Sequence, residues 1–137
     1  MSYVLTNLKN KNIVENWTVQ YWSRLLNLAE KYGWRAKGTK NPENWDDGKE
    51  WDGNYWWNSG QTIEDDDAKL LAVALKKALE KIPDEENKQA SKNYQEMINW
   101  KKYDGSIPLE DIFSGKNSKQ CIQKFIEFCE KGGFEIS

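Results

Sequence analysis

The chemistry open to this sequence is limited first by what it lacks. No histidine occurs among its 137 residues, which removes the commonest general base and the commonest metal ligand together. Ser-His-Asp and Cys-His arrangements therefore cannot be built within one chain. Two cysteines, Cys121 and Cys129, fall short of the roughly four ligands of a structural zinc site. They stand eight positions apart in a segment that reads as helix, which separates them by roughly 12 Å along the axis. A disulfide needs Cα atoms within about 7 Å, so both read as reduced thiols that fill the core.

Carboxylates are the remaining reactive type. Asp46, Asp47, Glu50 and Asp52 lie close together in sequence, and hard cations want clustered carboxylates. No window has EF-hand spacing, however: counted from Asp52, the fifth position is Trp56 and the sixth Trp57. Paired carboxylates also perform general acid–base work, but no pair stands out, and an enzyme is the minority reading. Gly33-x-x-x-x-Gly38-Thr39-Lys40 approaches a phosphate-binding loop with its last two residues reversed, and a helix precedes it where a strand is required. No cofactor and no metal are expected.

The elements that must position these residues are mostly helical in pattern. Trp22, Leu25, Leu26, Ala29 and Tyr32 fall at helical spacing. Asn16 or Thr18 is placed to cap that helix and Gly33 to end it. Thr62 with Asp65 resembles a capping box ahead of a second helix, whose first turn holds Glu64, Asp65, Asp66 and Asp67, where the helix dipole favours negative charge. Ala68, Leu71, Leu75, Ala78, Leu79 and Ile82 mark its inner face, Leu70 and Val73 extend it, and Pro83 stops it. Asp84 is placed to cap a third, sparser helix. Leu109 to Phe113 reads as one helical turn, and Asn117 or Ser118 opens a last helix closed by Gly132-Gly133, with Phe134 and Ile136 folding back as an apolar tail. The expected fold is mainly α: a compact bundle of about four helices near 17–32, 63–82, 85–102 and 118–131. Leu25, Leu71, Leu75, Leu79, Ile122 and Phe125 should form its core, and residues 1–16 should be an arm or edge strand.

The unusual piece is the connection 34–61. Loops beyond about 12–15 residues without structure of their own are uncommon and often functional. This one carries Trp45, Trp51, Tyr55, Trp56 and Trp57, too aromatic for a disordered linker, with room for a small hairpin turning at Asp52-Gly53. Charge is uneven around it: residues 1–42 carry seven bases and two acids, whereas 43–67 carry nine acids and one lysine.

Length fits a single domain over 1–137. No apolar run approaches the ~18 residues of a membrane span, residues 1–12 lack the apolar stretch of a signal peptide, and a net charge of −2 argues against nucleic acid as partner. A cytoplasmic monomer is expected.

Several blocks resemble a family of small hypothetical bacterial proteins. They are Tyr32-Gly33-Trp34, Trp51-Asp52-Gly53-Asn54-Tyr55, Asn58-x-Gly60-Gln61, Asp67-Ala68 leading into Leu70-Leu71-Ala72-x-Ala74-Leu75, and Phe125-Ile126-x-Phe128-Cys129-x-x-Gly132-Gly133-Phe134-Glu135-Ile136. The likeness covers most of the chain in scattered stretches. It implies a bacterial, intracellular origin and one domain, and brings no activity, ligand or site.

Two function classes follow. The first is a non-enzymatic protein-interaction module, immunity- or antitoxin-like or regulatory, whose acidic aromatic loop meets a basic protein. Its binding residues would be Trp45, Asp46, Asp47, Glu50, Trp51, Asp52, Tyr55, Trp56 and Trp57. The second is a small-ligand binder in which the same tryptophans stack on a sugar or a cation.

Overall fold

Three asparagines begin the fold. The Asn7 side-chain oxygen accepts the N–H groups of Lys9 and Asn10, both at 2.9 Å, and Asn10 accepts that of Asn12 at 3.0 Å. Such side-chain turns reverse the backbone, and they fold Ser2–Asn7 (β1) back on Val14–Thr18 (β2) as an antiparallel pair. The computed structural model describes residues 2–46 and 48–137. After β2 come helix Val19–Lys31 (α1), strand Gln61–Ile63 (β3), and helices Asp65–Leu79 (α2), Lys88–Trp100 (α3), Leu109–Ile112 (α4) and Lys116–Glu130 (α5). Strand Phe134–Ile136 (β4) closes the order.

The mainly α expectation is overturned. Among the described residues four antiparallel strands form one sheet in the order β2-β1-β4-β3. Residues 1–16 supply an inner strand, because β4 pairs along the other side of β1, with Leu5 opposite Ile136. The apolar tail is that β4 strand. Tyr3, Leu5, Trp17, Ile63, Phe134 and Ile136 are buried on the inner face, where Trp22 of α1 packs on Tyr3 and Phe125 of α5 packs on Trp17 and Phe134; α2 packs in turn on α5 and α1. Gly133 admits the close pairing of β3 with β4: a Cβ there would stand 2.3 Å from the Ile63 carbonyl oxygen.

The helices stand where the periodicity places them, with different caps. Gly33 follows α1 with a φ of 107°, a conformation glycine adopts without penalty. Thr62 lies in β3, so no capping box forms, and Glu64 takes the N-cap position of α2 without a side-chain bond. Asn87, rather than Asp84, caps α3 by accepting from the Ala90 N–H at 3.0 Å. Gly115, with a φ of 101°, precedes α5 and sets its start ahead of Asn117. Leu25, Leu71, Leu75, Ile122 and Phe125 are buried as expected, whereas Leu79 is half-buried and Leu70 and Val73 face outward. Cys129 is in the core, but Cys121 is exposed. No helix among the described residues is long and apolar enough to cross a membrane.

Candidate functional site

The long connection is anchored by a buried carboxylate. Asp67 lies fully buried in the first turn of α2. One of its oxygens accepts the Trp34 indole N–H at 2.9 Å and the other the Tyr55 hydroxyl at 2.6 Å. That hydroxyl in turn accepts the Gly38 N–H at 2.8 Å. Burial, reinforced by the Asp67 carboxylate, pushes the Tyr55 pKa up, which keeps the phenol protonated and donating. The Tyr55 carbonyl takes the indole N–H of the core residue Trp22 at 2.7 Å. Thr39 ties the two limbs of the loop together: its N–H donates to Gly53, its hydroxyl to Asn54, and its carbonyl accepts the Trp51 indole N–H at 3.0 Å. The Tyr3 hydroxyl donates to the Trp56 carbonyl, and the Gln61 amide to the Trp57 carbonyl.

No hairpin forms at Trp51–Trp57. Asp52 accepts the Asn54 N–H, and Asn54 accepts those of Trp56 and Trp57. These successive side-chain turns take up backbone donors that a ladder would use. The pairing within the connection is a single bridge, Lys40 to Thr62, along the outer side of β3.

On this frame stands an aromatic surface. Trp45, Trp51 and Trp57 pack on one another with ring centroids 4.9, 5.9 and 6.1 Å apart. Trp45 and Trp51 are half-buried, while Trp56 and Trp57 are 45% and 49% exposed. On the same loop Glu43, Asp46, Glu50 and Asp52 are exposed, and none of the four forms an ion pair among the described residues. Asp47 lies outside the described residues. The acids just beyond the loop differ: Glu64 pairs with Lys37 and Lys40, each at 3.0 Å, Asp66 with Lys37 at 2.8 Å, and Asp65 with Lys9 at 3.5 Å. Those lysines, with the Gly133 N–H on Asp65, hold all three carboxyls below their usual range.

The structure packs Trp45, Trp51 and Trp57 together and leaves Asp46, Glu50, Asp52 and Trp56 exposed on the same loop. It moves Tyr55 inside as a support. Asp67, read from sequence as helix-dipole charge, is the principal support that sequence reasoning missed. The signal was present, because Asp67 lies one turn before Leu71 on the apolar face of α2.

No family model, curated protein or solved structure matches this chain. Its site must be read from its own geometry. Among the described residues, no group of three or more acidic or thiol side chains is placed to hold a metal ion. Surface cavities open elsewhere: about 530 Å³ between β2 and α5, about 450 Å³ beside Trp17 and Cys121, and about 560 Å³ between the start of α1 and the end of α3. Trp45, Trp51, Trp56 and Trp57 line none of these three.

Proposed function

We propose that this chain is a non-enzymatic protein-interaction module of the kind bacterial immunity and antitoxin proteins exemplify. It acts as a cytoplasmic monomer whose loop 43–61 recognises a basic protein. The observation that carries the reading is the contrast in ion pairing. Lysines neutralise Glu64, Asp65 and Asp66, yet Glu43, Asp46, Glu50 and Asp52 are exposed on the same loop as two exposed indoles, without an ion pair among the described residues. Apolar anchors rimmed by unneutralised charge suit an interface, in which a few aromatics carry most of the energy and the charged rim steers encounter.

The small-ligand reading has less support. A sugar or quaternary ammonium sandwiched between two indoles needs ring faces about 7 Å apart, two contacts of ~3.5 Å. The centroids of Trp45, Trp51 and Trp57 are 4.9 to 6.1 Å apart and the rings fill each other's space.

The test uses the immobilised chain to retain basic proteins from an extract of the source cell at low salt, followed by titration of the retained protein. Trp56→Ala should weaken binding by more than ~1 kcal/mol and leave the Tm nearly unchanged. Neutralising Asp46, Glu50 and Asp52 together should slow association and flatten its salt dependence. Binding that neither set of substitutions alters would overturn the reading.

A further inference from the structure

We propose that the groove between the start of α1 and the end of α3 is a second, separate site that binds a small anion carrying a planar ring, of the nucleoside monophosphate class. The groove measures about 560 Å³, within the usual range of small-molecule sites. Its charged wall consists of Arg24, Lys101 and Lys102, and no carboxylate lines it.

Arg24 is the decisive residue. Its guanidinium lies 4.5 Å from the centre of the Tyr103 ring, and its Nε–H is buried without an acceptor. Among the described residues Arg24 has neither an ion pair nor a hydrogen bond, whereas Lys101 pairs with Asp104 at 3.2 Å. A buried donor left unpaired is costly, and the guanidinium fork matches a phosphate or carboxylate through two parallel bonds. The Nε itself is closed to solvent, so an oxyanion in the groove would meet the terminal Nη groups of the fork. The ring beneath it is fixed in advance, because the Tyr103 hydroxyl donates to the Ile107 carbonyl at 2.6 Å. Packed edge-on against that ring, with ring centroids 5.9 Å apart, Tyr94 donates its hydroxyl to the Gln20 carbonyl at 2.6 Å. Both phenols are thus committed to the protein, which leaves the guanidinium as the free recognition group.

Trp100 selects among oxyanions. It lines the same groove and is 88% exposed, so its indole face is open as a stacking platform beside the cations. Stacking on such a platform favours a planar base over a plain phosphate or an aliphatic carboxylate. Lys102, exposed and without an ion pair among the described residues, adds a second positive charge at the rim.

The test is a titration with adenosine monophosphate followed by nitrogen–proton NMR. The chain has two arginines, Arg24 and Arg35, so two arginine Nε–H signals are expected and Arg24→Lys assigns them. Saturable shifts should appear at the Arg24 Nε–H and the Trp100 indole N–H. Arg24→Gln should weaken binding at least about tenfold, and Trp100→Ala about fivefold or more. Adenosine without its phosphate, and inorganic phosphate without a base, should each bind about tenfold more weakly. Trp100→Ala removes an exposed side chain and keeps the fold, so it decides the matter should Arg24→Gln fail to fold. Absence of a saturable shift up to about 10 mM ligand, or equal affinity in folded Arg24→Gln and Trp100→Ala, would overturn the proposal. Binding of tetraglutamate without binding of adenosine monophosphate would overturn it too, in favour of an acidic-peptide groove.

Discussion

Asp67 organises the most consequential contacts at the scale of single residues. A carboxylate withdrawn from water is tolerated only where donors replace the water, and the Trp34 indole and Tyr55 phenol supply them. Removing the acceptor strands both donors in the interior. Asp67→Ala should therefore cost about 3–5 kcal/mol. Tyr55→Phe should cost about 1–3 kcal/mol, because it deprives Asp67 of one donor and the Gly38 N–H of its acceptor. Denaturant unfolding measures both. An Asp67→Ala loss below about 1 kcal/mol would show that the network does not hold the loop. Trp56 is the opposite case: it stands exposed outside the three-ring cluster, so its substitution is felt in recognition and barely in folding.

The inner and outer faces of α2 make opposite predictions at the scale of elements. Leu75 is fully buried where α2 meets its neighbours, and Leu70 is 53% exposed on the other side. Leu75→Ala should lose about 2–5 kcal/mol, the range for a leucine whose removal leaves a cavity. Leu70→Ala should lie within about 0.5 kcal/mol of the wild type, as exposed substitutions do. Equal effects in chemical denaturation would contradict the orientation of this helix. Both residues are apolar, and the period alone admits either on the inner stripe. The helices packed against α2 decide, since α5 and α1 cover one side of it and leave Leu70 to solvent.

Titration behaviour belongs to the whole molecule. Lys40 and Lys37 lower the Glu64 pKa, the Gly133 N–H and Lys9 lower that of Asp65, and Lys37 lowers that of Asp66. A carboxyl whose folded pKa is depressed contributes stability that is complete above its unfolded value near ~4 and lost as pH falls through the folded one. Glu15, raised by burial, opposes that trend. Burial pushes Tyr94 up to about 12, and burial with Glu110 does the same to Tyr32. Their contribution is complete below the unfolded tyrosine value near ~10 and lost as pH rises through the folded values. With no histidine in the chain, no side chain of ordinary pKa changes charge between about pH 5 and 8. Burial pushes the Cys129 thiol well up, a contribution lost as pH rises past the unfolded thiol value near ~8.5. The Tm at fixed ionic strength should hold a plateau from about pH 5 to 8 and fall on both sides. Calorimetric melts across that range check it, and a steady slope inside the plateau would refute it.

Local interactions are what the sequence determined by itself. A helix bonds each residue to one four positions away, so its buried face repeats within a single segment. That repetition made α1, α2 and α5 legible, together with the Gly33 stop and the core positions Leu25, Leu71, Leu75, Ile122 and Phe125. Composition likewise marked residues 34–61 as aromatic and residues 43–67 as acidic. The sheet was not legible for the same physical reason. Its central ladder joins residues 5–7 to 134–136, and strands of three residues, Gln61–Ile63 and Phe134–Ile136, are too short to show a period of two. Burial and partnership were decided only by what packs across from each side chain. Tertiary structure turned Asp67 from helix-end charge into an internal anchor, drew Tyr55 inside and left Trp56 and Trp57 outside. It also set Arg24 against Tyr103, with no carboxylate among the described residues to meet it.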